Sequence, residues 1–251
     1  AKLPGGKPVA ALRRAAIGAF ASKGLPSRRV EEFKYTDLKA NVKEALPLAT
    51  GGAVAGDAAN PAGAHFGTEF TADAVVFAGG RGVPAKSGQR HFLADANLPA
   101  WAAAALEDVD LKVSADLLLN TALFTDGAVI DVPAGAADDA PIVIVSLPAE
   151  GRMTALRHVI RIGKGAKATI VEIERAEDGA GARQSSGLTQ ITIDDDAVVE
   201  HIKVVEARKG SLHLSHWQAN LGANVTYKPF QLTIGEGLVR NGLNVLFNGQ
   251  H

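Results

Sequence analysis

The fold is decided by two similar stretches, Ile160-Arg-Ile-Gly-Lys-Gly-Ala166 and Ile191-Thr-Ile-Asp-Asp-Asp-Ala197, which align with an offset of 31 residues. In each stretch, two isoleucines spaced by two precede a polar corner and then a small residue. A third small residue, Ala223, follows Leu221-Gly222 after 26 more residues. A small residue just past a corner, recurring at roughly this interval, is typical of a chain whose successive turns stack closely.

Apolar pairs spaced by two continue along the chain beyond Asn120. Because successive side chains of a strand point to opposite faces, such pairs predict strands with one apolar face each. The corners between them are short and polar or glycine-bearing, and no gap is long enough for a helix. The pairs are Ile130/Val132, Ile142/Ile144, Ile160/Ile162, Ile191/Ile193, Ile202/Val204, Leu212/Leu214, Leu232/Ile234 and Leu243/Val245.

This pattern favours a mainly β fold, a parallel β-helix or β-solenoid preceded by a small helical region. A β-sandwich stays open as the alternative, because the repeat is degenerate. Each inward Ile, Val or Leu of a solenoid would contribute about 1.5–3 kcal/mol if fully buried, so the ladder of apolar residues would dominate stability.

The N-terminal part of the sequence predicts helices. Over residues 8–23, apolar residues recur every three or four positions, which indicates an amphipathic helix ended by Gly24. A short helical stretch is expected to reach about Leu46, where Pro47 stops it. Residues 98–106 predict an alanine-rich helix held by Trp101, and helical character is expected to end there.

Between these helices the sequence predicts less regular structure. Residues 74–78 suggest a strand that leads into a glycine turn at 79–82. Residues 49–67 are almost wholly small or polar and are expected to form a loop, because they cannot bury much apolar surface. We therefore divide the chain into a helical and mixed region, residues 1–118, and a β-helix core, residues 119–251.

Composition excludes several function classes. Lys plus Arg total 26 against 27 for Asp plus Glu, so no net field draws the chain onto nucleic acid or an anionic membrane. The 251 residues contain no cysteine, which excludes disulfides, thiolate nucleophiles and Cys-ligated zinc or iron–sulfur sites within this stretch. No secretory signal and no run of transmembrane length is recognisable, so a cytoplasmic location is expected.

Three stretches resemble the SufB/SufD family of iron–sulfur cluster assembly proteins, and within it the SufD type. The first, Pro26-Ser-Arg-Arg-Val-Glu-Glu-Phe-Lys-Tyr-Thr-Asp-Leu38, is similar to a signature near the family's N-terminus. The second runs from Leu119 through Ile130-Asp-Val-Pro-Ala-Gly135 to Ile144 and resembles the start of the family's β-helix. The third, Gly235-Glu-Gly-Leu-Val-Arg-Asn-Gly-Leu-Asn-Val-Leu-Phe-Asn-Gly249, resembles a later coil.

The resemblance implies a right-handed parallel β-helix behind an N-terminal helical region, in a non-catalytic scaffold subunit of the SufBCD complex. It implies SufB and SufC homologues as partners: further coils pair with SufB, and a C-terminal helical segment binds the SufC ATPase. The sequence stops at His251, before those segments and before the family's metal-site candidates on this subunit. A transient iron–sulfur cluster, and a flavin in the full complex, are then the cofactors to consider, and none is expected on this chain alone.

The sequence contains no strong motif for phosphate binding or metal binding. No Gly-Lys-Ser/Thr loop is present to wrap phosphates, and the glycines around Lys164 fit a solenoid corner. His213 and His216 are three apart in a predicted strand and therefore on opposite faces, so a shared metal is not expected. His201 is predicted to face solvent. The aspartates at 194–196 lack the glycine repeat of calcium-binding solenoids and predict a solvated turn.

Two groups of residues are candidates for interactions. The exposed mixed charges Arg28, Arg29, Glu31, Glu32 and Lys34 suggest a partner-docking surface, with a self-paired surface helix as the equal alternative. Arg240 and Asn241 suggest a polar position of a coil. There Arg240 would line an internal channel or, equally, bind backbone carbonyls at a corner.

Two other functions remain open at the level of sequence. A β-helical carbohydrate-active enzyme would need two carboxylates about 5–10 Å apart in an open groove. A structural solenoid that self-associates, forming a homodimer through the β-helix, would need no iron chemistry.

Overall fold

The structure, a computed structural model, describes residues 3–4, 6–51, 74–83, 91–94, 98–108, 114–137, 139–175 and 181–249. Within these residues, four helices lie before the long strands. They are α1 (Gly6–Lys23), α2 (Leu38–Asn41), α3 (Ala100–Glu107) and α4 (Ala115–Leu123), and a 3-10 turn (Glu31–Phe33) precedes α2.

Twelve strands within the described residues form two six-stranded sheets. The first sheet has the order β12-β10-β8-β6-β4-β3 and the second has the order β11-β9-β7-β5-β1-β2, so that strands from β4 onward alternate between the two sheets along the chain. The strands are β1 (Val75–Ala78), β2 (Arg81–Val83), β3 (His91–Phe92), β4 (Ala128–Val132), β5 (Ile142–Leu147), β6 (Met153–Ile162), β7 (Lys167–Arg175), β8 (Gln184–Ile193), β9 (Val198–Ala207), β10 (Leu212–Leu221), β11 (Thr226–Gly235) and β12 (Leu238–Phe247).

Parallel pairing between alternate strands confirms a β-solenoid of about four turns. Ile160 pairs with Ile191 and Ile162 with Ile193, so the offset of 31 residues read from the sequence is the register of one coil on the next. A sandwich is excluded, because from β4 onward each strand of one sheet is followed along the chain by a strand of the other, and the ladders between these strands are parallel.

The solenoid interior is apolar at the end where the first-sheet strands finish, the chain turns and the second-sheet strands begin. Five of the predicted pairs point inward at this end, including Ile160/Ile162 and Ile191/Ile193, whose four side chains are at most 1% exposed. Ala166 and Ala197, the small residues past the corners, are fully buried in the same cluster. The close stacking that the sequence predicted at these corners is therefore confirmed.

Three of the predicted apolar pairs point outward instead. Leu212 and Leu214 pack against Phe33 and Leu38 of the N-terminal region. Ile202 packs on the outer apolar cluster of the second sheet, and Val204 lies on the same face of its strand. Leu232 and Ile234 also lie outside, where they are 41% and 50% exposed. Spacing by two therefore located the strands but did not decide which face was the interior.

The N-terminal helices follow the sequence pattern with two exceptions. Helix α1 ends before Gly24, whose φ of 68° lies in the left-handed region and whose N–H donates to Phe20 O. The helical stretch expected to reach Leu46 ends at Asn41, and α4 was not predicted at all. No helix of the described residues is long and apolar enough to span a membrane.

Strands β1 and β3 join the two sheets although they lie before residue 119, through pairing with β5 and β4. The glycine turn predicted at 79–82 connects β1 to β2. Of the predicted loop at 49–67, residues 52–67 lie outside the described residues.

A crossing segment, residues 42–49, runs over the beginnings of four strands of the first sheet. Val42 packs beside Leu212 and Leu238. Farther along, the Gln184 amide donates to Glu44 O and accepts from the backbone N–H of Leu46. Met153 then exchanges backbone hydrogen bonds with residues 47 and 49, at 2.9 and 2.7 Å. The N-terminal region is thereby tied to several coils at once.

Close coil stacking predicts a large difference between two glycine-to-alanine substitutions. A Cβ at Gly163 would lie 2.5 Å from the backbone nitrogen of Ala134 in the preceding coil, whereas a Cβ at Gly18 in α1 would meet nothing within 4 Å. We expect Gly163→Ala to lower the free energy of unfolding by about 1–3 kcal/mol because backbone must shift. Gly18→Ala should raise it by about 1 kcal/mol through helix propensity. Urea denaturation measures both, and equal effects would contradict this packing.

Candidate functional site inside the solenoid

The opposite end of the solenoid interior, where the first-sheet strands begin and the second-sheet strands finish, is polar and charged. Parallel stacking in register places inward side chains of neighbouring coils beside one another, as Glu172 pairs with Lys203 and Ile170 with His201. The polar interior, as we name this cluster, draws on four consecutive long strands. It consists of Glu172 and Glu174 of β7, Ser185 and Thr189 of β8, His201 and Lys203 of β9, and His213, Ser215 and Trp217 of β10.

Glu172 is the centre of the polar interior. Its Oε1 accepts hydrogen bonds from Thr189 Oγ1 at 2.7 Å, His201 Nε2 at 2.8 Å and Trp217 Nε1 at 2.9 Å. Its Oε2 lies 2.9 Å from the Lys203 ammonium, and both side chains of this ion pair are at most 7% exposed. A buried carboxylate is tolerated only when it is paired and hydrogen-bonded, and Glu172 meets both conditions.

These contacts determine the ionisation of Glu172. Burial by itself would raise the pKa of this carboxyl, but the Lys203 charge and the His201 hydrogen bond outweigh it and hold the pKa well below the ordinary 4.5. Burial also lowers the pKa of His201 against the opposing pull of Glu172. Glu172 is therefore a carboxylate that accepts a hydrogen bond from the neutral imidazole of His201.

The neutral His201 ring connects Glu172 to Tyr227. Since Nε2 carries the proton that is donated to Glu172, we assign Nδ1 as an acceptor for the Tyr227 hydroxyl, 2.9 Å away. Burial raises the pKa of Tyr227, so its hydroxyl keeps its proton. The His201 ring also stacks on Trp217, with ring centroids 3.7 Å apart, which fixes its orientation.

Glu174, two residues after Glu172 in β7, forms a second cluster. Its Oε1 lies 2.5 Å from Ser185 Oγ and 2.6 Å from His213 Nδ1. Burial would raise the pKa of Glu174, but the contacts with His213 and Ser185 lower it on balance. The polar interior therefore holds two ionised carboxylates.

His158 of β6 is buried beside these groups, and no acidic side chain in the described part of the chain forms a hydrogen bond with it. Its Nδ1 accepts the backbone N–H of Ala128 at 3.0 Å. Burial lowers the pKa of His158 from 6.5 to about 4, even though the Glu172 charge opposes this. The ring is therefore neutral in the folded protein at neutral pH.

A cavity of about 30 Å³ lies among these side chains, lined by Thr154, His158, both glutamates, Ser185, Lys203 and His213, with Ile144 and Leu156 on its apolar side. This volume admits water-sized guests and excludes a sugar ring or a nucleotide. The arrangement can hold buried charge and pass protons between hydrogen-bonded groups. A larger cavity, of about 420 Å³, lies outside, between the crossing segment and the beginnings of the first-sheet strands.

The histidines of β10 lie on opposite faces, as the sequence predicted. His213 points into the polar interior, whereas His216 points outward and lies 2.6 Å from Asp116 Oδ2 of α4. Within the described ranges, no group of three or more His, Asp or Glu side chains is arranged to hold a metal ion.

The prediction that His201 faces solvent is wrong, because its ring is fully buried. It rested on the apolar neighbours Ile202 and Val204, which point outward against another apolar surface. Sequence reasoning also missed Glu172, Glu174 and Lys203. The offset of 31 residues, applied to Glu172, would have found its partner Lys203.

The candidate docking residues lie together on the N-terminal segment around the 3-10 turn. Arg28, Arg29, Glu31, Glu32 and Lys34 are all exposed. Arg28 Nε lies 3.4 Å from Asp37 Oδ2, and Asp37 Oδ1 caps α2 by accepting from Ala40 N. Phe33 and Leu38 of the same segment are buried on the outer face of the first sheet. A docking role for the charged group stays a prediction.

Arg240 and Asn241 lie on opposite faces of β12. Arg240 lies outside, neither in an internal channel nor at a corner, with its guanidinium 4.0 Å from the centroid of the Phe33 ring and 4.0 Å from Asp116 Oδ2. Asn241 points inward and accepts a 2.6 Å hydrogen bond from Ser215 Oγ. Arg240 therefore contacts the N-terminal segment and helps to hold it against the solenoid.

The aspartates at 194–196 form a tight corner. Asp196 has a φ of 61°, and Asp195 Oδ1 accepts from the backbone N–H of Ala223 in the next coil. Lys164 Nζ of the preceding coil lies 3.5 Å from Asp196 and 3.9 Å from Asp195. The solvated turn predicted for these residues is thus confirmed as a turn between stacked coils.

Comparison with known families gives two matches. Residues 145–251 match the SUF system FeS cluster assembly SufBD core domain, and residues 5–48 match the SufBD protein N-terminal region. The first match contains every strand of the polar interior, and the second contains most of the crossing segment. No curated protein matches the chain.

The buried ion pair predicts a strong asymmetry between two lysines. Lys203 pairs with buried Glu172, whereas Lys228 of β11 pairs with Glu200 at 3.2 Å with both side chains about half exposed or more. We expect Lys203→Met to lower the free energy of unfolding by about 3–5 kcal/mol, because it leaves a buried carboxylate unpaired. Lys228→Met should change it by about 0–1 kcal/mol. Chemical denaturation measures both, and a small effect at Lys203 would contradict the pairing.

His158 predicts a dependence of stability on pH. Below pH 6.5 the unfolded chain binds a proton at His158 that the folded protein, with a pKa of about 4, does not bind. The free energy of unfolding should therefore fall as pH falls from 6.5 to 4.5, by on the order of 2–3 kcal/mol from this group. His158→Asn, which keeps an acceptor for Ala128, should flatten the slope. An unchanged slope in denaturation curves recorded across this range would refute the assignment.

Proposed function

We propose that this chain, which carries the N-terminal region and core domain of the SufB/SufD family of iron–sulfur cluster assembly proteins, serves as a SufD-type scaffold subunit. The observation that carries the proposal is the match of both regions on a parallel β-solenoid, with the N-terminal region packed against the core. Its partners would be a SufB-type sister subunit and a SufC-type ATPase, in the cytoplasm.

A scaffold role fits the chemistry of the chain better than a catalytic one. The sequence has no phosphate-wrapping Gly-Lys-Ser/Thr loop and no cysteine. From its own 251 residues the chain can therefore offer a nascent cluster no thiolate ligand. An iron–sulfur cluster, and any flavin, would belong to the assembled complex.

Exposed apolar side chains on β11 and β12 support a protein partner. Phe230, Leu232 and Ile234 of β11 are 57%, 41% and 50% exposed, and Leu246 and Phe247 of β12 are more than half exposed. Phe230, Leu232 and Ile234 occupy alternate positions of one strand and therefore share one face of it, and an exposed apolar row of this kind marks an interaction surface. We assign it to the sister subunit, and we assign the charged group around Glu31 to a second contact that sets register rather than affinity.

The carbohydrate-active alternative finds no support in the polar interior. Glu172 and Glu174 are the two carboxylates of that cluster, and both are enclosed beside a cavity of about 30 Å³ rather than placed in an open groove. Self-association through the β-helix remains the alternative that shares the same exposed strands.

Co-purification tests the proposal. The full-length protein, tagged, is co-expressed with SufB-type and SufC-type proteins, and both are expected to co-purify with it. Leu232→Glu places a charge in the exposed patch and should reduce recovery of the SufB-type protein roughly tenfold or more. The matched control is Thr226→Glu at an exposed position of the same strand. This variant should leave recovery of the SufB-type protein unchanged. Recovery of neither partner, or of self-associated chain alone, would refute the scaffold assignment.

A further inference from the structure

Two polar atoms that face the cavity of the polar interior have no hydrogen-bond partner among the described residues. They are Thr154 Oγ1 and His213 Nε2, on residues that are 1% and 4% exposed. Both residues line the cavity. A buried polar atom without a partner costs about 1–3 kcal/mol, so two of them beside one cavity call for a common explanation.

The hydrogen bonds of His213 define what its free nitrogen offers. Glu174 is ionised and can only accept, so the Nδ1 that lies 2.6 Å from it carries the proton. The second ring nitrogen, Nε2, faces the cavity. A guest there must bond to this nitrogen and also to a hydroxyl, and a molecule that can both donate and accept meets both requirements.

Lys203 supplies a third group at the cavity. Its ammonium carries three N–H donors and faces Glu172 Oε2 at 2.9 Å, so it can also serve a guest in the cavity that it lines. A guest that bonds to His213 Nε2, accepts from Lys203 and bonds to the Thr154 hydroxyl has three partners.

We propose that this cavity is a binding site for ordered water, held by Thr154 Oγ1, His213 Nε2 and Lys203 Nζ. A volume of about 30 Å³ exceeds the 10–15 Å³ that one water molecule needs, and three polar partners match the usual number for a buried water. A metal ion does not fit, because the described residues place no three ligating side chains together.

The water joins the two carboxylate clusters into one chain of hydrogen bonds. It connects Glu174 and His213 on one side to Lys203, Glu172, His201 and Tyr227 on the other. The path crosses four strands of the solenoid, β7, β9, β10 and β11, and ends at a partly exposed tyrosine. Protons can then exchange between the buried groups and the surface without opening the solenoid.

A pair of threonine substitutions tests the site by the sign of the stability change. Thr154→Val keeps the shape but removes one partner of the water, so the melting temperature should fall by about 2–4 °C. The matched control is Thr121→Val in α4, where the hydroxyl is also buried and unpaired but does not line the cavity. There, loss of an unsatisfied hydroxyl should leave the melting temperature unchanged or raise it. A rise or no change in Thr154→Val as well would overturn the proposal.

A high-resolution crystal structure of the unmodified chain provides a test that needs no variant. Electron density for a water within hydrogen-bond distance of both Thr154 Oγ1 and His213 Nε2 is expected. A dry cavity, or one closed by a changed rotamer of either side chain, would overturn the proposal even if Thr154→Val failed to fold.

Discussion

Stacking in register is the constraint on which the rest of the structure depends. Every inward side chain of one coil lies directly beside its counterpart in the next, so a column of residues must be compatible through the whole solenoid. Isoleucines and alanines form such columns at one end. At the other end the same rule places Glu172 beside Lys203, and the charge of one is neutralised by the charge of the other.

The N-terminal region and the solenoid are parts of one packed unit. Phe33 and Leu38, from the signature segment, pack on Leu214 of β10, and Arg240 of β12 covers the Phe33 ring. The crossing segment then reaches β8 and β6 through backbone and amide hydrogen bonds. Buried residues of the signature thus hold the coils together, while its charged residues remain exposed for other contacts.

Much of the fold could be predicted from the sequence, because strand period and coil register are both local patterns. The offset between Ile160 and Ile191 gave the register directly. Spacing alone could not distinguish inside from outside, since the outer faces of both sheets also pack against apolar surfaces, and His201 was misplaced for that reason. The polar interior was missed because its residues are spread over four different strands, and no single strand carries a recognisable motif. Helix α4 was missed because its leucine-rich sequence continues into the first long strands.

The ionisation of Glu172 tests the central claim, that the charges of the solenoid interior neutralise one another, most directly. Carbon-13 NMR of the folded chain, with selectively labelled glutamate and a Glu172→Gln spectrum for assignment, follows this carboxyl as acid is added. We expect its signal to remain that of a carboxylate through pH 4.5, the ordinary pKa of glutamate. Protonation at or above that pH would contradict the account, because it would mean that burial outweighs the ion pair with Lys203 and the hydrogen bond from His201.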